Sequence, residues 1–127
     1  MDVPTTIRDF VDAVSHADGE RAGLLVTEDA TFRLPGEREL PAGEAGARAF
    51  AAKHAESDGR KQSVELVDAE RHPDNLWVAS LRFASREVAS DEIMYEMTVG
   101  GVFSFDGDRI SAMQAFPSYE EAVAASE

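Results

Sequence analysis

The sequence contains no cysteine, which excludes disulfides, a thiolate nucleophile and zinc sites with sulfur ligands. Its histidines, His16, His54 and His72, show no metal-ligand spacing, and there is neither a glycine-rich phosphate loop nor a Gly-x-Ser-x-Gly elbow. No stretch approaches the roughly 20 apolar residues of a membrane span, and the first residues lack the pattern of a signal peptide. We therefore expect no metal, no cofactor, no membrane and a cytoplasmic location.

Positive charge is also scarce. Twelve Lys and Arg residues stand against 25 Asp and Glu residues, a net charge of −13, and Lys53 and Lys61 are the lysines. Such a chain repels phosphate backbones and anionic lipid surfaces, so we expect no nucleic-acid partner. The acidic residues occur in both halves of the chain, which is typical of a solvated surface rather than an acidic arm.

The composition that remains is that of a globular protein. The chain has 127 residues, of which 43% are hydrophobic and 29% charged, which is enough for one compact domain and too little for two. We expect a single domain over residues 1–127.

The first half predicts helices. Apolar residues recur at three- and four-residue spacing over residues 4–17, which predicts an amphipathic helix. A short second helix is expected at residues 20–26, with Leu24, Leu25 and Val26 buried. Residues 29–34 alternate like a strand that ends in a turn at Pro35-Gly36, and residues 37–40 are expected to be extended. An alanine-rich third helix follows and places four residues on one face: Ala47, Phe50, Ala51 and His54.

From residue 60 onward the hydrophobic period becomes two. Strands are predicted at residues 64–71, 75–86, 92–105 and 109–116, and a short terminal helix at residues 119–125. Helices followed by antiparallel strands favour an α+β fold in which a curved sheet wraps around the helices. Paired glycines weaken a strand, so Gly100-Gly101 is interpreted as a bend, with a close approach of another segment as the alternative.

Two segments carry a resemblance to a known family. Residues 28–35 (EDATFRLP) and especially residues 105–116 (FDGDRISAMQAF), in this order of helices and strands, look like the ketosteroid isomerase and SnoaL-like branch of the nuclear transport factor 2-like superfamily. The resemblance implies a cone, in which a curved antiparallel sheet and three N-terminal helices enclose a pocket. It also implies that homodimers form through the outer sheet face.

The sequence differs from the family at the positions of the catalytic residues. Steroid isomerases of this family use an aspartate base and an oxyanion hole made by a tyrosine and a protonated aspartic acid. Aligned with that pattern, the oxyanion tyrosine falls on Phe10, the base on Leu34 and the aspartic acid on Gly101, while a supporting tyrosine falls on Ala51. These side chains cannot transfer a proton, so steroid isomerase chemistry is not expected.

If the cone forms, its pocket should be apolar and suited to a hydrophobic ligand. The expected lining residues are Phe10, Val14, Leu34, Trp77, Ala79, Leu81, Tyr95, Met97, Val99, Gly101, Met113 and Ala115. The same residues could instead collapse into a filled core.

Tyr95 and His54 are the candidate catalytic residues, since each could transfer a proton. A solvent-exposed tyrosine and a solvent-facing histidine at a helix end are the more common alternatives. The sequence thus predicts a protein that binds a small steroid- or polyketide-like molecule, or, as the alternative, an isomerase, cyclase or lyase that uses Tyr95 or His54.

Overall fold

The computed structural model describes residues 3–35 and 38–127, and within them four α-helices, one 3-10 helix (Pro73–Asn75) and six strands. The helices are α1 (Val3–Ser15), α2 (Gly19–Gly23), α3 (Glu44–Ala52) and α4 (Tyr119–Ala125). The strands are β1 (Val26–Leu34), β2 (Arg38–Glu39), β3 (Arg60–His72), β4 (Leu76–Glu87), β5 (Ile93–Asp106) and β6 (Arg109–Phe116). Gly36 and Glu37, to which a turn and extended chain were assigned, lie outside the described residues. None of the described helices is long and apolar enough to cross a membrane.

The strands form one sheet in the order β2-β1-β6-β5-β4-β3. Four of its pairings are antiparallel, but β1 and β6 run parallel, with Phe32 opposite Met113. The sheet is therefore mixed, whereas the sequence predicted an antiparallel one. The difference arises because β6, the last strand, returns between β5 and β1, and its direction is set by the β5–β6 hairpin rather than by any local pattern in β1.

Helix α1 lies on one face of this sheet because its apolar residues recur every three or four positions. Ile7, Phe10 and Val14 are almost completely buried. Phe10 is the centre of an aromatic cluster: its ring centroid lies 6.2 Å from that of Phe32 in β1, 6.2 Å from that of Phe50 in α3 and 6.4 Å from that of Phe103 in β5. One side chain thus joins α1 to two strands and a second helix.

Helix α4 packs against β4, β5 and β6 and explains Gly100. A Cβ added at Gly100 would lie 2.6 Å from Ala122 Cβ and 2.6 Å from the Ser118 carbonyl oxygen, distances too short for any real side chain. The register between β5 and its neighbours is regular at this position. Gly100 therefore permits a close approach of α4, the alternative to the bend that the sequence favoured.

Leu24 also differs from its prediction. Helix α2 ends at Gly23, and Leu24, which follows it, is 70% exposed instead of buried. Val26 is buried as predicted, and Leu25 is partly buried against the core. The helix is only five residues long, so a spacing argument over residues 20–26 could not fix which side Leu24 faces.

The two adjacent glycines should respond differently to a methyl group. Gly100→Ala is expected to destabilise the protein by about 1–3 kcal/mol, because the new Cβ collides with α4 backbone. Gly101→Ala should change the stability by less than about 1 kcal/mol, because its Cβ would lie 3.3 Å from the movable tip of Leu81 and 3.3 Å from the Phe103 ring and the variant restricts the unfolded chain. Urea unfolding measures both, and equal losses would contradict the assigned role of Gly100.

Candidate functional site

An apolar cavity of about 230 Å³ lies beside the C-terminal end of α3. The sequence-predicted residues that line it are Leu34, His54, Tyr95, Met97, Val99 and Ala115. Sequence reasoning missed the others: Pro35, Phe50, Lys53, Gln62, Phe83, Ala84 and Ser85. No Asp or Glu of the described residues is among the lining side chains. Phe50 and Phe83 belong to the apolar faces that the sequence pattern predicts for the third helix and its strand. Nothing in the sequence indicated that Lys53, Gln62 and Ser85 would lie beside them.

The remaining residues predicted to bind a ligand do not line this cavity. Phe10, Val14, Leu81 and Met113 are at most 3% exposed, and they pack in the core with the buried Ala79 and Gly101 and the partly buried Trp77. The aromatic cluster around Phe10 fills the space in which a deep pocket was expected. The deep end of the cone is therefore packed, and the cavity lies toward the end of α3.

His54 contributes a polar atom to this apolar wall. It follows α3 and is 1% exposed, so it is buried, in contrast to the solvent-facing histidine that was the common expectation for a helix end. The rings of Phe50 and Phe83 flank it, with centroids 5.6 Å and 5.8 Å from that of the imidazole. Its burial depends on Phe83 in β4, and no pattern within the helix could indicate this contact.

The hydrogen bonds of His54 determine which of its nitrogens carries the proton. Nδ1 lies 3.2 Å from the carbonyl oxygen of Phe50, and because a carbonyl only accepts, the Nδ1–H group must donate. Nε2 is then an unprotonated acceptor, and it is buried without a hydrogen-bond partner among the described residues. A buried acceptor of this kind costs about 1–3 kcal/mol unless something donates to it.

His54 is uncharged at neutral pH. Burial lowers its pKa most strongly, the hydrogen bond to Phe50 opposes this effect, and the positive charges of Lys61 and Lys53 lower the pKa further. A neutral imidazole with a free Nε2 can accept a hydrogen bond or a proton.

Lys61 holds the segment that carries His54. Its Nζ donates to the carbonyl oxygens of Ser15 at 2.7 Å, His54 at 3.0 Å and Gln62 at 3.2 Å. Ser15 is the last residue of α1 and His54 follows α3, so one ammonium group satisfies carbonyls near the C-terminal ends of two helices, where a positive charge is favoured. The sequence offered no signal for this role beyond the rarity of lysine.

Tyr95 lies on the part of β5 that extends beyond β6. Its side chain lines the cavity, yet the residue is 59% exposed, and its hydroxyl donates to Met97 Sδ at 3.1 Å. The phenol therefore occupies the outer part of the cavity wall. On the opposite side of β4 and β5, Arg82 and Glu96 form an exposed ion pair, with Nε and Oε1 3.7 Å apart.

No group of three or more His, Cys, Asp or Glu residues in the described part of the chain could hold a metal ion. The polar side chains that line the cavity carry one imidazole, one phenol and an amide, a hydroxyl and an ammonium group.

His54 should make stability depend on pH. Because its folded pKa is lower than its ordinary value of 6.5, protons bind the unfolded chain more tightly. The stability that depends on a neutral His54 is then fully present above pH 6.5 and is lost as the pH falls from 6.5 through the folded pKa. Urea unfolding over this window should show a smaller loss for His54→Leu than for the wild type. An unchanged slope in His54→Leu would refute the assignment.

Comparison with known proteins supports the fold. No protein-family model and no curated protein matches the chain. Among solved structures, it is similar to a hypothetical protein with a ketosteroid isomerase-like fold from Catenulispora acidiphila DSM 44928, solved in complex with trimethylamine. The identity is 15% and the TM-score 0.72, and the match covers 98% of this chain and 93% of that one.

Two further solved structures are similar to the chain. A putative polyketide cyclase from Sinorhizobium meliloti is 17% identical with a TM-score of 0.68 and covers 88% of this chain and 94% of its own. An LEH-like epoxide hydrolase from M. tuberculosis is 13% identical with a TM-score of 0.66 and covers 96% of this chain and 82% of its own. The chain therefore has a ketosteroid isomerase-like fold, as its sequence predicted.

Proposed function

We propose that this protein binds a small hydrophobic molecule in the cavity beside His54. The observation that carries the proposal is an apolar cavity lined by His54, whose buried Nε2 has no hydrogen-bond partner among the described residues. A ligand with a hydroxyl or N–H group would supply the missing hydrogen bond, while Phe50, Phe83 and Met97 contact its apolar part. The similar protein from Catenulispora acidiphila was solved with a small molecule, trimethylamine, which supports small-molecule binding by this fold.

The size of the cavity narrows the class of ligand. Its volume of about 230 Å³ lies below the roughly 300–1,000 Å³ of common ligand pockets. One or two rings suit this space better than the four rings of a steroid. We also propose that the protein does not catalyse steroid isomerisation. Phe10 and Gly101, which align with the oxyanion tyrosine and aspartic acid of steroid isomerases, are buried in the core and carry no group that could transfer a proton.

A catalytic role is the second candidate, and the free base at Nε2 favours it. In an isomerase, cyclase or lyase, Nε2 would take a proton from a carbon or hydroxyl next to a carbonyl, and the resulting imidazolium would return it to another atom of the substrate. Tyr95 would act at the outer end of the cavity.

We also propose that the protein forms homodimers and is located in the cytoplasm.

Ligand binding can be tested with a small aromatic alcohol. Naphthol, at a concentration about a hundredfold above its dissociation constant, should stabilise the protein by about 2.7 kcal/mol, measured as a rise in Tm. Ala115→Phe fills the cavity and should abolish this rise, whereas Ala124→Phe, on the exposed side of α4, should retain it. Binding that is unaffected by Ala115→Phe, or no stabilisation by naphthol or tetralone, would count against the cavity.

The catalytic alternative has its own measurement. Tetralone carries exchangeable protons next to its carbonyl, and a base at Nε2 should accelerate their exchange with deuterium oxide, followed by NMR. His54→Ala should abolish the acceleration and Tyr95→Phe should reduce it. If exchange proceeds equally fast in all three proteins, neither residue transfers the proton.

A further inference from the structure

The apolar cavity adjoins a polar groove. Lys53, Gln62 and Ser85 line both spaces, and the groove is completed by Arg60, Asp58 and two small residues. Gln62 in β3 is directly opposite Ser85 in β4, so these two positions mark the boundary between cavity and groove. A ligand in the cavity would therefore have one end beside an ammonium, a guanidinium, an amide and a hydroxyl group.

The cations of this groove are available to a ligand. Lys53 and Arg60 form no ion pair among the described residues, whereas other basic residues, such as Arg21, Arg33 and Arg48, are paired with carboxylates. In a chain of net charge −13 with two lysines, Lys53 lines the cavity and Lys61 binds the carbonyl oxygen of His54.

The charges around His54 also favour an anionic ligand. The charges that act on its imidazole are those of Lys61 and Lys53, and both disfavour a further positive charge. A negative charge placed at this end of the cavity would therefore be attracted, although the protein as a whole is acidic.

We propose that the ligand is a small amphipathic carboxylate. Its ring or short chain, which carries the hydroxyl or N–H group that donates to His54 Nε2, would occupy the cavity between Phe50, Phe83 and Met97. Its carboxylate would lie in the groove beside Lys53 and Arg60. This inference rests on the proposed function and specifies its ligand. Asp58 lines the same groove, and Glu87 is opposite Arg60 across the β3–β4 pair; these acids favour a monoanion over a dianion such as a phosphate monoester.

Three probes of matched shape test the preference: phenylpropanoate, phenylpropanol and phenylpropylamine. At pH about 8 the carboxylic acid is ionised and His54 is neutral. Calorimetry should then show that the carboxylate binds about fivefold tighter than the alcohol, and that the ammonium compound binds most weakly. Raising the salt concentration should reduce these differences, because charges at an exposed groove are screened.

The variant Lys53→Gln/Arg60→Gln should bring carboxylate and alcohol to equal affinity while leaving the affinity for the alcohol within about twofold. The matched control is Arg71→Gln, an exposed arginine near the other end of β3, which should retain the preference. A preference that persists in the double variant would overturn the inference.

The outcomes also distinguish this inference from the proposed function. Equal binding of carboxylate and alcohol by the wild type, both abolished by Ala115→Phe, would refute the carboxylate and retain the cavity as a binding site. If neither compound binds, or if Ala115→Phe binds both unchanged, the proposed function and this inference fail together.

Discussion

The packing of Phe10 determines where this protein can hold a ligand. Its ring contacts Phe32, Phe50 and Phe103 and thereby fixes α1 and α3 against the curved sheet. Aromatic pairs at these separations contribute about 0.5–1.5 kcal/mol each beyond the area they bury. The same cluster fills the deep part of the cone, and the apolar cavity lies toward the end of α3. The Phe10 side chain therefore both stabilises the fold and occupies the space in which a deep pocket was expected.

The cavity therefore lies beside residues whose chemistry differs from that of the deep apolar pocket that the sequence predicted. At the end of α3, the chain must satisfy helix carbonyls, and Lys61 does so for two segments at once. His54 is held there with its Nδ1–H group donating to Phe50, which leaves Nε2 as a base. A leucine or phenylalanine would pack in this position without burying an unpartnered acceptor. The cost of that acceptor is the physical reason for assigning the cavity to a ligand rather than to packing alone.

The sequence predicted elements better than contacts. The period of two identified β4, β5 and β6, and the helical spacing identified α1, because both patterns record which side of an element is buried. The parallel pairing of β1 with β6 and the burial of His54 beneath Phe83 depend on segments far apart in the chain. Most of the predicted pocket residues lie in the core for the same reason: periodicity shows that Leu81 and Met113 point inward, but not whether a neighbouring side chain fills the space beside them.

The net charge of the protein affects large and small partners differently. A charge of −13 acts on a partner that covers much of the surface, and it disfavours nucleic acids and anionic membranes. A small ion entering the cavity responds instead to charges within about one Debye length, roughly 8 Å in physiological salt. At this site Lys53 lines the cavity, Arg60 lines the adjoining groove and Lys61 binds the carbonyl oxygen of His54. No Asp or Glu of the described residues lines the cavity itself. An acidic protein can therefore exclude polyanions and still favour a small carboxylate at one site.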